Sequence, residues 1–218
     1  MIDELMDFTE DNTKMPSGFV VLSDIAPDIV VEMRYYGKYN FVGERIRGYE
    51  EPIALVTLET ARALKKANAD VAPMGYKLKV WDAYRPQTAV DHFIEWAKDL
   101  RNVKMKQYFY PDEEKENLFV HGFIAARSSH SRGSAVDVTL YDVQKGYDVD
   151  MGGTFDYFGP RSYSDYPRLT EQQKMHRDIL RTVMHRYGFK GISTEWWHFI
   201  LVDEPYSNLY FNFPVKRM

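Results

Sequence analysis

The sequence contains no cysteine, which excludes disulfides, thiolate metal sites and cysteine nucleophiles. Nor does any apolar run approach the ~18 residues of a membrane span. The opening stretch Met1-Ile2-Asp3-Glu4-Leu5-Met6-Asp7 is acidic and lacks a basic-then-apolar leader pattern. A cytoplasmic protein without membrane insertion is the expectation, and a periplasmic one stays open if a leader has been removed. Positive charge is not in excess: 28 Lys and Arg face 32 Asp and Glu, for a net charge of -4. Nucleic acid is therefore not an expected partner. Internal repeats, low-complexity segments and linkers are absent as well. What is present is a 218-residue chain, 44% hydrophobic, long enough for one domain with a sizeable core.

Residues 1–18 are polar and read as a surface arm, leaving 19–218 as the domain. Phe19–Leu22 and Ile29–Tyr35 read as strands, and 36–52 as a long loop with Gly37, Gly43 and Gly48. Leu58, Ala61, Leu64, Ala67 and Val71 predict a helix to Ala72. A strand follows over 76–84, then a helix from Gln87 to Leu100, with Pro86 at its start. The charged stretch 101–118 reads as a solvated excursion. Val136, Val138 and Leu140 alternate with Ala135, Asp137 and Thr139, predicting a strand with Asp137 on the opposite face. Residues 141–168 read as loops rimming a site. Thr170 and Gln173 form a capping box for a helix to Tyr187, closed by Gly188. Thr194–Val202 reads as an aromatic strand.

Two stretches carry chemistry: Ser128-Ser129-His130-Ser131-Arg132-Gly133-Ser134-Ala135-Val136-Asp137 and Glu195-Trp196-Trp197-His198. Together they offer two imidazoles and a carboxylate for a metal, with Glu195 left over as a proton carrier. Residues i and i+3 of a regular strand point to opposite faces. Glu195 is therefore expected in a turn or bulge at the strand entrance, and His198 within the strand. Taken singly, each piece is weak: a lone Glu-x-x-His is more often a core histidine beside a surface acid. His92, His121, His176 and His185 show no ligand pattern, and Trp81, Trp196 and Trp197 read as core or cleft wall.

In combination, Ser-x-His-x-x-Gly-x-Ala-Val-Asp followed by Glu-x-Trp-His resembles the zinc signature of D-alanyl-D-alanine peptidases related to the N-terminal Hedgehog domain. Trp81-Asp82-Ala83-Tyr84-Arg85-Pro86 narrows the likeness to the D-alanyl-D-alanine dipeptidases, including the vancomycin-resistance type, from about Phe19 to Phe213. The resemblance implies His130, Asp137 and His198 as zinc ligands, Glu195 as general base and Arg85 as stabiliser of the transition state. It also places Ser128, Asp156, Tyr35 and Tyr49 near a bound dipeptide, without settling which end each one holds.

The expected fold is α+β: a single domain whose mostly antiparallel central sheet bears the zinc site, with helices packed on one side. The expected activity is zinc-dependent hydrolysis of D-alanyl-D-alanine. A peptidoglycan carboxypeptidase or endopeptidase acting on longer stem peptides is one alternative. A zinc-binding module without catalysis is the other, although such a module needs neither Glu195 nor Arg85.

Overall fold

Val136, Val138 and Leu140 are fully buried, and so are Asp137 and Thr139 on the other face of the same strand. A strand covered on both sides belongs at the centre of a sheet, and this one lies there. In the computed structural model, which describes residues 12–217, it is β5 (Ala135–Asp142). Around it the chain runs β1 (Phe19–Val21), α1 (Leu22–Ile25), β2 (Val30–Val31), β3 (Leu55–Thr57), α2 (Leu58–Val71) and β4 (Tyr76–Asp82). Next come α3 (Gln87–Lys98), α4 (Lys106–Phe109), β5, β6 (Tyr147–Asp148), α5 (Glu171–Arg186), β7 (Phe189–Gly191) and β8 (His198–Leu201).

The main sheet has the order β2-β4-β5-β8-β7, with β6 paired to the far end of β5. The β2–β4 pair is parallel and the other pairs are antiparallel. β1 and β3 form a separate antiparallel pair. The expected mixed α+β architecture with a mostly antiparallel sheet is what is observed. α2 and α5 contact each other and cover β4, β5 and β7; Ala61, Leu64, Ala67 and Val71 of α2 are completely buried there. α3 lies elsewhere, contributing Val90 and Phe93 to the cleft that Asp137 faces.

Local signals set several boundaries. Thr57 caps α2 through a side chain that accepts from the Thr60 N–H, and the Thr170–Gln173 capping box is complete. The strand expected over 194–202 forms only at His198–Leu201, and Ser193 to Trp197 turn into it. The strand expected over 29–35 shortens to Val30–Val31, although Glu32 and Arg34 still donate backbone bonds to Val80 and Trp81.

The stretch 101–118 is not the solvated excursion its charges suggest. Phe109, Tyr110 and Leu118 are buried. Lys115 is buried too, because its ammonium donates to the carbonyls of Trp96, Asp99 and Asn102 at the end of α3. Three carbonyl dipoles that converge at and just beyond the end of α3 offset the cost of burying a cation there. Of the expected N-terminal arm, 1–11 lie outside the described residues, and Asn12 is bonded to the backbone of Tyr210 and Asn212. No helix among the described residues is long and apolar enough to cross a membrane.

Candidate metal centre and active site

His130 is held by a short 3-10 turn, Ser129–Arg132. Ser128 caps it by accepting from the His130 N–H, and Gly133 ends it at φ 82°. A Cβ at Gly133 would stand 2.2 Å from the Phe19 ring, so both the backbone angle and the space require glycine there. The carbonyl of Ala83 accepts from Nδ1 of His130 at 2.7 Å, leaving Nε2 as the nitrogen with a free lone pair.

Asp137 and His198 face each other across the β5–β8 pairing. His198 opens β8 immediately after the turn that carries Glu195, and its backbone N–H donates to the Glu195 carbonyl at 3.3 Å. The turn-then-strand arrangement expected for these two residues is therefore present. Nε2 of His198 bonds the Ser129 hydroxyl at 3.1 Å, which turns Nδ1 towards Asp137, 3.0 Å away. Nε2 of His130 lies 3.1 Å from that Nδ1 and 3.3 Å from Oδ2 of Asp137.

Nε2 of His130, Nδ1 of His198 and the Asp137 carboxylate, all buried, thus converge on one region. Such an arrangement repels itself unless a proton or metal cation lies between. The electrostatics agree in direction. Burial by itself would raise Asp137, but the two imidazoles hold it far below the usual carboxylate range. Burial would lower His198, but the Asp137 carboxylate raises it. Among the described residues this is the group of His and acidic side chains able to hold a metal.

Arg85 follows β4 after a register shift between Val80 and Asp82. Its Nε and Nη2 both reach Oδ2 of Asp82 at 2.9 Å, while Nη1 points to Ser128 at 3.5 Å and Nη2 lies 3.6 Å from Asp137. The Tyr35 and Phe93 rings flank the guanidinium at 5.0 and 5.2 Å. Asp82 is fully buried; burial raises its pKa and the Arg85 charge opposes that rise. Glu195 places Oε2 3.9 Å from Nδ1 of His198. Burial raises its pKa, and the neighbouring Asp137 charge adds to the rise.

Arg85, Ser128, His130, Asp137, Asp156, Glu195, His198 and Tyr35 all line one cavity of about 140 Å³. Drug-sized ligands occupy ~300–1,000 Å³, so this space suits a smaller molecule. The Tyr35 hydroxyl donates to Oδ2 of Asp156 at 2.8 Å, and burial together with nearby acids pushes the Asp156 carboxyl well up. Asp156 adopts φ 57°, the one positive value outside glycine among the described residues. A larger groove of about 410 Å³ between α2 and α5, lined by Met74, Met175 and Ile179, carries charged residues such as Asp70, Asp178 and Arg186 but no histidine.

Tyr49 is placed differently from its neighbours in the expected set. It does not line the cavity; its hydroxyl donates to Oδ1 of Asp82 at 2.6 Å, behind Arg85. Asp82, Ser129 and the segment from Gly122 to Arg127, which walls the cavity, were missed by motif reasoning. Asp82 had a signal, an acid three residues before the arginine of the same segment. Gly122 to Arg127 had none. His92, His121 and His176 bond elsewhere, to Arg47, Glu113 and Asp150. Trp81, Trp196 and Trp197 are buried in the core.

A family model described as D-ala-D-ala dipeptidase matches residues 15–216. The D-alanyl-D-alanine dipeptidase of Enterococcus faecium is 40% identical over 202 residues, covering 93% of this chain and all of the relative. That of Enterococcus faecalis is 38% identical with the same coverage. The Escherichia coli K12 protein of the same description is 33% identical over 182 residues, covering 84% of this chain and 83% of its own.

Proposed function

The chain belongs to the D-alanyl-D-alanine dipeptidase family of peptidases, and from that premise we propose that it hydrolyses D-alanyl-D-alanine to two D-alanines at a zinc held by His130, Asp137 and His198. The observation that carries this reading is the convergence of that cluster with Glu195 and Arg85 on one small cavity. Nε2 of His130 and Nδ1 of His198 stand 3.1 Å apart, with one Asp137 oxygen 3.3 Å from the first and the other 3.0 Å from the second, a donor set of two imidazoles and a carboxylate that would hold a zinc. Two imidazoles and one carboxylate also leave a coordination position open, as catalytic sites require. Zinc bound there supplies Lewis acidity that polarises a peptide carbonyl and acidifies water.

The remaining steps fall to the chain's own side chains. Glu195 takes a proton from the attacking water and returns it to the departing amine nitrogen, acting first as base and then as acid. Its raised pKa suits that exchange, because a carboxylate nearer neutrality both accepts and donates readily. As the carbonyl oxygen gains charge, Arg85 answers it through Nη1, the nitrogen that Asp82 does not hold. Asp82 fixes the plane of the guanidinium, and Tyr49 fixes Asp82. Tyr49 thus supports the site from behind instead of touching the dipeptide.

Asp156, with one oxygen bonded to Tyr35, offers the other to the substrate ammonium. Ser128 and neighbouring N–H groups receive the free carboxylate. A cavity of this size, closed by Phe123, Ile124 and Phe158, leaves little room for a longer stem peptide.

The test is D-alanine release from D-Ala-D-Ala by the purified protein, with and without a chelator, beside a stem pentapeptide. Chelator-sensitive release from the dipeptide alone is the expected result. Release from the pentapeptide instead would assign a carboxypeptidase. No release from either, with zinc bound, would leave a non-catalytic zinc module.

A further inference from the structure

Arg177 is a cation with no job in the chemistry described so far. It lies on α5 and is 94% buried, with 6% of its surface exposed, and it forms no ion pair with a carboxylate among the described residues. Its guanidinium instead donates to three backbone carbonyls at 2.7 Å each: Nε to Met151, Nη2 to Arg161 and Nη1 to Tyr163. The guanidinium carbon lies over the Trp196 ring, 5.3 Å from its centroid, and the Trp196 backbone N–H donates to the carbonyl of Ser162. Burial lowers the pKa of Arg177 to about 10, so the group remains charged at neutral pH.

The positions of those carbonyls are informative. Met151 and Tyr163 bracket the loop that carries Asp156, and Arg161 lies inside its far end. A loop of this length has many conformations, and fixing both ends to one rigid group removes most of them. Asp156 needs that constraint, because its φ of 57° is a sparsely populated angle for a residue with a side chain. Arginine suits the task where lysine does not. Its planar fork reaches three separated acceptors in fixed directions while its centre lies over an aromatic ring, whereas the three donors of a lysine radiate from one compact ammonium.

We propose that Arg177 is a positioning residue for substrate binding: it clamps the 151–163 loop so that the Asp156 carboxylate stands at the ammonium end of the dipeptide. This rests on the reading of Asp156 given above. Arg177 acts through Asp156 and the loop, without touching substrate or zinc.

The test pairs Arg177→Lys with Asp156→Asn and their double variant, each with zinc content, kcat and KM for D-Ala-D-Ala. Amide hydrogen exchange is followed in parallel on the wild type and Arg177→Lys. The expected result for Arg177→Lys is a KM raised about tenfold or more, with kcat and zinc content nearly unchanged. That KM effect should vanish in the Asp156→Asn background, since a clamp has nothing left to position there. Exchange should accelerate over 151–163 while β5 and α3 stay as protected as in the wild type. Loss of zinc and kcat together, an unchanged KM, or KM effects that simply multiply in the double variant would overturn the clamp. If the wild type releases no D-alanine, the dipeptidase reading fails by itself and exchange decides. Selective loosening of the loop would then support the clamp, and uniform exchange would overturn it.

Discussion

Tyr49→Phe separates support from contact at this site more cleanly than any other single change. The substitution removes one oxygen, keeps the ring in its buried place, and deletes the 2.6 Å hydrogen bond to Oδ1 of Asp82. Asp82 is fully buried, and its two other side-chain bonds, both from Arg85, go to Oδ2. Oδ1 therefore loses its side-chain donor with no access to bulk water. Leaving such an acceptor unpaired costs about 2 kcal/mol, within the ~1–3 range for buried polar groups. For a chain of this size that corresponds to a Tm lower by about 4–8 °C. Because Arg85 keeps its hold on Oδ2, kcat should fall less than about tenfold, and KM should not change. Thermal unfolding and steady-state kinetics on D-Ala-D-Ala measure both quantities. A KM raised about tenfold with Tm unaltered would refute the reasoning and put the Tyr49 hydroxyl on the substrate.

Further expectations concern the site and the scaffold around it. Glu195→Ala should retain zinc and lose turnover; loss of zinc from this variant, measured by metal analysis, would contradict the proton-carrier role. His198→Ala and Asp137→Ala should lose zinc and activity together, and a variant keeping both would leave the ligand set. Arg85→Ala should lower kcat by ~10²–10³ while zinc stays bound, the usual effect of removing one oxyanion donor. Asp150 accepts from Gln173 and from the Gly152 N–H, which hold its pKa below the ordinary value. A depressed carboxylate contributes stability above its unfolded pKa of ~3.9 and loses it as pH falls through the folded value. Asp150→Asn should therefore be slightly less stable than the wild type at pH 7, by a few tenths of a kcal/mol since the site is exposed. That gap should begin to narrow below about pH 4 and close as pH falls through the lower folded value, in denaturant titrations across that range.

Much of this protein was legible in one dimension, because the relevant physics is local. The Thr170–Gln173 capping box, the apolar stripe of α2 and the alternation along β5 each depend on neighbours within a few residues. The same holds for the two metal-site stretches, where side-chain type and spacing already specify imidazoles, a carboxylate and a spare acid. The arrangement of Glu195 before the strand and His198 within it follows from the two-residue period of a strand alone.

Tertiary structure decided whatever depends on partners distant in sequence. Tyr49 and Tyr35 are both aromatic and both buried, yet one meets Asp82, 33 residues away, and the other Asp156, 121 residues away. Nothing local distinguishes them. The charged 101–118 stretch folds inward because the carbonyls of Trp96, Asp99 and Asn102 receive Lys115, and Gly122 to Arg127 become a cavity wall only where they cross the cleft. Side-chain chemistry is a property of the residue and can be read from its letter. The atom that a side chain faces is a property of the packed chain, because the partner of a buried polar group is whatever the fold has placed beside it.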